Sequence, residues 1–123
     1  MHEVDVIYDR YGRPVLRLLE NGRLVTFAGK SVGFLVNGNL FNYSGHYVGW
    51  MDNAVIRDKN GHTAGFGENP QDFPVPFFPF KQFKPFAGFV EFEPLRPFTQ
   101  FVPFKPLKTY SWSTIDPVSL FFL

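Results

Sequence analysis

Residues 39–51 read NLFNYSGHYVGWM, and three more stretches follow the same pattern: VIYDRYGRPVLRL at 6–18, RLVTFAGKSVGFL at 23–35 and VIRDKNGHTAGFG at 55–67. Each has an apolar segment, then Asp, Asn or Thr, a glycine three residues later, and a second apolar segment. This spacing is typical of a β-hairpin closed by a type I turn with a left-handed glycine. It predicts eight short antiparallel strands, near 3–8, 14–19, 23–27, 31–36, 40–43, 46–51, 54–58 and 62–67.

Two columns of glycine repeat with the hairpins. The turn glycines are Gly12, Gly29, Gly45 and Gly61, and a second column follows four residues later at Gly33, Gly49 and Gly65. Glycine inside a strand marks a bulge or a close approach of backbone. The second column indicates either a crowded point near a pseudo-fourfold axis or strong local twist. Whether the hairpins close into a barrel or form an open pinwheel stays open at this level.

The second half of the chain has a period of three instead. From 77 to 110 every third residue is large and apolar: Phe77, Phe80, Phe83, Phe86, Phe89, Phe92, Leu95, Phe98, Phe101, Phe104, Leu107 and Tyr110. Proline often stands just before these positions. A period of three fits neither an α-helix nor a strand, but it fits polyproline II, which turns once every three residues. The segment is predicted to be an extended ribbon with one aromatic edge.

The aromatic edge of this ribbon is expected to be buried. Burying one Phe side chain is worth roughly 1.5–3 kcal/mol, so nine of them represent on the order of 15–25 kcal/mol of gross driving force. Disordered tails are also poor in aromatic residues. We therefore expect the ribbon to pack on the hairpin platform or on a neighbouring subunit. The chain is interpreted as one domain, 1–123, with a platform at 1–69 and the ribbon and C-terminal anchor, including Trp112, at 70–123.

Several short strings give the sequence a family resemblance. They are the V-G-F, V-G-W and A-G-F triplets of the hairpins, PFKQFKPF at 79–86 and EPLRPF at 93–98. With the fourfold run of hairpins they resemble the bacterial 4-fold β-flower proteins over nearly the whole chain. The resemblance implies an all-β fold with internal pseudo-fourfold symmetry, and it implies no activity and no site residues. The first repeat departs from the pattern, since Leu16-Arg17 replaces Gly-aromatic.

Composition limits the classes of function. The formal net charge is +1, and both halves of the chain are close to neutral, which argues against a nucleic-acid partner. There is no cysteine, and charged residues interrupt every apolar run, so we expect neither disulfides nor a transmembrane segment. The N-terminus lacks the apolar core of a signal peptide, which favours a cytoplasmic location and leaves leaderless export open.

Few residues suggest chemistry. His46 and His62 follow turn glycines, where hairpin tips are solvated and polar. Asp9, Asn42 and Asp58 resemble an acidic cluster, but their turn position accounts for them, because Asp and Asn there bond the backbone. The sequence therefore predicts no catalytic residue, metal site or cofactor, and we expect a protein that is not an enzyme.

The favoured function is a structural or protein-interaction module that forms a homo-oligomer or binds a protein partner. Its candidate interaction residues are Phe77, Phe80, Phe83, Phe86, Phe98, Phe101, Phe104, Trp50 and Trp112. The alternative is a small-ligand or glycan-binding module. In that case aromatic residues near the hairpin tips would supply stacking surfaces: Tyr8, Tyr11, Tyr43, Tyr47 and Trp50.

Overall fold

A computed structural model describes residues 2–123 and contains eight β-strands. They are β1 (Glu3–Tyr8), β2 (Pro14–Leu19), β3 (Arg23–Thr26), β4 (Ser31–Val36), β5 (Asn39–Asn42), β6 (Tyr47–Asp52), β7 (Val55–Asp58) and β8 (Thr63–Phe66). Each strand pairs antiparallel with the next, and β8 returns to β1 through the pair Tyr8 and Phe66. The sheet is a closed barrel, so the all-β prediction with four hairpin repeats is confirmed.

The first residue of each turn builds its hairpin tip. Asp9 Oδ1 accepts hydrogen bonds from the backbone N–H groups of Tyr11, at 2.9 Å, and Arg13, at 3.0 Å. The Oδ1 atoms of Asn42 and Asp58 accept the same pair of bonds, from the residues two and four positions ahead. These oxygens satisfy backbone donors that the tight turn would otherwise leave unpaired. The local backbone therefore explains the residue types at these positions.

The barrel interior is filled by apolar side chains of the strands and by the C-terminal segment. The strands contribute Ile7, Leu16, Leu24, Val32, Leu40, Val48, Ile56 and Ala64. A short 3₁₀ helix, Ser119–Phe122, adds Leu120 and Phe121, which are 1% and 2% exposed. Each such burial stabilises the fold by roughly 1.5–3 kcal/mol. The C-terminal segment is thus a plug that completes the core of the barrel.

The second glycine column marks a close approach of backbone. A Cβ atom on Gly33, Gly49 or Gly65 would meet the carbonyl oxygen of the next strand, that of Phe41, Arg57 or Tyr8. Gly33 also leaves the space that the Phe121 ring occupies. The column is therefore needed where neighbouring strands crowd and where the plug enters.

The ribbon runs around the outside of the barrel and is bonded to each hairpin tip in turn. Four backbone N–H groups of the ribbon donate to the carbonyl oxygens of the turn glycines. The pairs are Gln82 and Gly12 (2.8 Å), Glu91 and Gly29 (2.9 Å), Gln100 and Gly45 (2.9 Å), and Thr109 and Gly61 (3.1 Å). The bonded residues are nine apart in sequence, which is three turns of polyproline II per hairpin. The ribbon therefore has four units that match the four hairpins of the barrel.

Within one chain, the backbone of the ribbon packs on the barrel, as expected. The aromatic edge of the ribbon does not pack on the barrel of its own chain. The tips bond the same face of the ribbon every nine residues, so every third side chain is directed away from the barrel. Phe80 and Phe89, for example, are 99% and 101% exposed. The aromatic edge of the ribbon is an outer surface of the molecule.

The side chain of Asn42 also holds the plug, because its Nδ2 donates to Phe121 O at 3.2 Å. Asp58 occupies the equivalent position, but its Oδ2 accepts from Ser113 Oγ at 2.6 Å. We expect Asn42→Asp to cost about 1–3 kcal/mol, because a buried carboxylate oxygen would face a carbonyl oxygen. Urea unfolding measures this cost. The same change at the exposed tip residue Asn60 is the control and should stay within about 0.5 kcal/mol, so equal effects would contradict the role of the plug bond.

Candidate functional site: an apolar girdle

The largest surface feature is a row of exposed apolar side chains along the ribbon, which we call the girdle. It consists of Phe77, Phe80, Phe83, Phe86, Phe89, Phe92, Leu95, Phe98, Phe101, Phe104, Leu107 and Tyr110. All but Tyr110, at 60%, have exposed fractions between 89% and 103%. Seven of the nine predicted interaction residues therefore lie in the girdle, and the structure brings them together on one continuous surface.

Side chains between the girdle positions fix the ribbon to the barrel. Gln100 Oε1 accepts from the backbone N–H of Tyr47 at 2.9 Å, and Glu91 Oε2 accepts from that of Ser31 at 2.8 Å. Gln82 Nε2 donates to the backbone carbonyl oxygen of Tyr11, in the first hairpin tip, at 3.1 Å. Gln82, Glu91 and Gln100 are nine residues apart, like the backbone bonds. A nine-residue period in the sequence could have revealed these anchors, but the stronger period of three conceals it.

Aromatic side chains on the outer face of the barrel lie beneath the ribbon. One cluster consists of Phe34, Phe41, Tyr47 and Trp50, with Tyr43 and Val102 packed against it. The guanidinium of Arg96 lies 4.9 Å from the centre of the Phe34 ring, and Lys105 Nζ lies 5.8 Å from that of Trp50. The ribbon thus buries the aromatic face of the barrel while its own Phe residues stay exposed.

Two predicted interaction residues do not lie in the girdle. Trp50 is 2% exposed and packed beneath the ribbon, so the structure gives it a packing role and its part in an interaction stays a prediction. Trp112 packs against Phe66 and Phe78, and its backbone runs parallel to Thr63. It lies between the end of the ribbon and the plug. Both tryptophans therefore hold parts of the chain together.

A buried arginine joins the two ends of the ribbon. Arg57 is 0% exposed, and its guanidinium donates to Pro74 O at the start of the ribbon and to Thr109 O, at 3.2 Å, at its end. Its Nε lies 3.4 Å from Asp72 Oδ2. Because both ends meet at one side chain, the ribbon makes a complete circuit of the barrel. We call Arg57, Asp72 and Lys108, with the carbonyls they hold, the clasp.

Opposite charges stabilise the clasp. Lys108 Nζ lies 2.7 Å from Asp72 Oδ1 and 2.6 Å from Asp52 Oδ2. Burial by itself raises the pKa of Asp72, but Lys108, the Phe73 N–H and Arg57 outweigh it and hold that pKa below its ordinary value. Burial lowers the pKa of Arg57, and Asp72 opposes this effect. Sequence reasoning missed Arg57, although a charged residue there departs from the apolar Tyr8, Val25 and Phe41 of the other repeats.

The aromatic residues near the tips offer little stacking surface. Tyr8 and Tyr47 are buried, and Tyr43 is half-buried with its hydroxyl donating to Glu93 at 2.7 Å. Burial and the neighbouring Glu68 raise the pKa of Tyr8, and burial and Glu93 raise that of Tyr43. Tyr11, at 61%, is the one that remains exposed among the five tip aromatics. Of the five aromatic residues near the tips, only Tyr11 therefore offers a ring on which a ligand could stack.

The described part of the chain also bears on other classes of function. Among residues 2–123, no three His, Asp or Glu side chains lie close enough together to hold a metal ion. Within the same range, no helix has the length and apolar character needed to cross a membrane. His46 is exposed at its tip, and His62 Nδ1 lies 2.9 Å from Thr109 Oγ1.

Comparison with known proteins identifies the family of the chain. A family model described as "4-fold beta flower protein" matches residues 5–121. The match covers nearly the whole chain, so the chain belongs to this family. No curated protein and no solved structure matches it significantly.

Proposed function

We propose that this member of the 4-fold β-flower family is a structural interaction module that self-associates through its girdle and carries out no catalysis. The observation that supports this is the exposure of the girdle. Twelve side chains of this size expose on the order of 2,000 Å², against a total accessible surface of 7231 Å². The largest apolar patch on a typical monomer is about 300–600 Å². The girdle is several times larger, and such surfaces mark interaction sites.

The chain has no way to bury the girdle by itself. Each ribbon unit is bonded to a hairpin tip, and the clasp holds both ends of the ribbon, so its aromatic edge is fixed outward. Rotating a unit inward would break these bonds and expose the aromatic face of the barrel. A partner surface therefore has to cover the girdle, and a pre-ordered edge of this kind loses little conformational entropy on binding.

Glycan binding is the weaker interpretation, since of its five proposed stacking residues Tyr11 alone is well exposed. The module is proposed as non-catalytic because Asp9, Asn42 and Asp58 are occupied in turn bonds. Neutral charge in both halves favours a protein partner over nucleic acid. A cytoplasmic location stays a prediction from the sequence.

The test replaces one girdle residue in each of three ribbon units, Phe83→Gln, Phe92→Gln and Phe101→Gln together. These side chains are between 100% and 101% exposed, so the barrel should remain folded. We expect the unchanged chain to associate and the triple variant to dissociate at concentrations at least tenfold higher, because each lost Phe removes apolar burial. Light scattering after size exclusion measures the mass of each species.

A matched control alters polar ribbon residues instead. Thr99→Gln and Lys105→Gln change exposed positions of the same ribbon without touching the girdle, and they should leave association within about threefold of the unchanged chain. Circular dichroism and urea unfolding establish that each variant is folded. Equal association of the triple variant and the unchanged chain would contradict the girdle as the interface.

A further inference from the structure

The girdle surrounds the barrel completely, and this limits what can cover it. The ribbon passes the tips at Gly12, Gly29, Gly45 and Gly61 in order, and the clasp joins its two ends. Four units of nine residues at about 3.1 Å per residue give a circumference of roughly 110 Å, hence a ring about 36 Å across. The apolar surface is therefore convex and has no preferred side.

One partner leaves most of such a ring exposed. A standard interface buries about 800 Å² on each protein, whereas the girdle exposes on the order of 2,000 Å². A closed dimer would cover less than half of it, and the opposite side would keep the same apolar surface. Burying the whole girdle therefore needs more than two neighbours of standard interface size, and the four ribbon units offer a contact surface on each side of the ring.

The two ends of the barrel differ from the girdle, because they are mostly polar. At the end with the hairpin tips the exposed residues include Arg10, Arg13, Lys30, Lys59 and Asn60, with Tyr11, Phe122 and Leu123 as apolar exceptions. At the other end they include Glu20, Asn21, Asn37 and Asn53, with Val4 and Val36 as apolar exceptions. Association along the barrel axis would desolvate these polar groups. The apolar driving force is instead directed sideways.

The charged side chains of the ribbon also favour a second copy of the chain as the neighbour, because they are engaged within the molecule and leave the outer edge apolar. Glu91 Oε2 accepts from the backbone N–H of Ser31, and Glu93 Oε2 lies 2.7 Å from Arg96 Nε. Lys84 Nζ lies 2.8 Å from Glu68 Oε1. A surface that matches the girdle is therefore apolar and depleted of charge, and the girdle of a second copy has this chemistry.

We infer that copies of this chain pack side by side, girdle against girdle, in a layer one barrel thick that grows without closing. The inference rests on the proposed function, and it adds that the partner is a second copy of the chain and that the assembly is a layer. A surface repeated around a convex ring makes contacts that do not close after one partner, so growth continues until the edge of the layer. Both faces of the layer would display barrel ends, with neighbouring centres about 40 Å apart.

The test compares the unchanged chain, with four apolar ribbon units, with a variant that has one. In the unchanged chain we expect a mass that rises with concentration and no plateau, and negative-stain electron microscopy should show thin layers of constant thickness. A one-unit variant keeps only Phe98, Phe101 and Phe104 and has Gln at the other nine girdle positions. Its mass should stop at twice that of the chain. Because the girdle side chains are exposed, circular dichroism should show both proteins folded.

Other outcomes separate this inference from the proposed function. A closed oligomer of fixed mass that dissociates in the one-unit variant would overturn the layer and keep the girdle as an interface. Rods of stacked barrels would also overturn the layer. An unchanged chain that stays monomeric alone but binds phosphatidylcholine vesicles would show that lipid covers the girdle. A monomer that binds neither copies nor vesicles would overturn both proposals.

Discussion

Arg57→Met is expected to destabilise the protein by about 3–5 kcal/mol, the cost typical of removing one partner from a buried ion pair. Met fills a similar volume but leaves Asp72 with one cation fewer and leaves Pro74 O and Thr109 O without a donor. Since domains are stable by about 5–15 kcal/mol, this is a large part of the total. Urea unfolding in the triple Gln background measures it without a contribution from self-association.

The control makes the same change at an exposed site. Arg13 pairs with Asp9 at 2.7 Å, but its side chain is 58% exposed, so Arg13→Met should cost at most about 1 kcal/mol. Limited proteolysis gives a second measurement, because a ribbon without its clasp should be cleaved between 73 and 110 faster than in the control. Equal stability and equal cleavage of the two variants would contradict the clasp.

The clasp also predicts how stability depends on pH. The pKa of Asp72 is lower in the folded state than in the unfolded chain, so its contribution is present above about pH 4 and is lost as the pH falls through the folded value. Burial lowers the pKa of Lys108, but Asp52 and Asp72 outweigh it and raise that pKa. Its contribution is present below about pH 10 and is lost above. Lys108→Gln should therefore flatten the acid side of the stability profile in urea unfolding, because Lys108 is the main group that lowers the pKa of Asp72.

Gly29→Ala is expected to cost about 2–5 kcal/mol, from two separate causes. Gly29 has φ +92°, a left-handed conformation that costs an L-residue roughly 1–2 kcal/mol. A Cβ atom there would also overlap the Phe89 carbonyl, and displacing the ribbon adds about 1–3 kcal/mol. Urea unfolding gives the total, and faster hydrogen exchange at the Glu91 amide would locate the displacement.

Gly38→Ala separates the two causes. Gly38 has φ +79°, but the nearest atom to its Cβ would be Met51 O at 3.5 Å, an ordinary contact. This variant should lose only the backbone part, about 1–2 kcal/mol. If Gly29→Ala and Gly38→Ala lower the free energy of unfolding by the same amount, close packing of the ribbon against Gly29 is contradicted.

Much of the fold could be predicted from local patterns. The spacing of Asp9 and Gly12, repeated in the other hairpins, indicated the turns, because turn geometry depends on residues within a few positions of each other. Closure of the barrel could not be predicted, since it depends on one pair, Tyr8 and Phe66, far apart in sequence. The plug was missed for the same reason, because an apolar tail does not show which surface it will enter.

The candidate site shows the same division. The period of three showed that the apolar ribbon residues share one edge, but it left open whether that edge packs on the hairpin platform or on a neighbouring subunit. The structure places Phe80 and its equivalents outside. In the sequence Arg57 is notable only as a charged residue in a repeat position that is otherwise apolar. Its acceptors, Pro74 O and Thr109 O, are distant in sequence, so no local pattern could indicate them.

The sequence by itself determined the eight strands, the four turns and the threefold periodicity of the ribbon, because each follows from the conformational preferences of neighbouring residues. The tertiary structure alone decided which face of the ribbon turns inward. That choice depends on backbone bonds from Gln82, Glu91, Gln100 and Thr109 to the four tips. A backbone donor held against the barrel needs a hydrogen-bond partner, whereas a Phe side chain that stays exposed forgoes only its burial, worth roughly 1.5–3 kcal/mol. Satisfying the ribbon backbone on the barrel is what leaves the girdle outside.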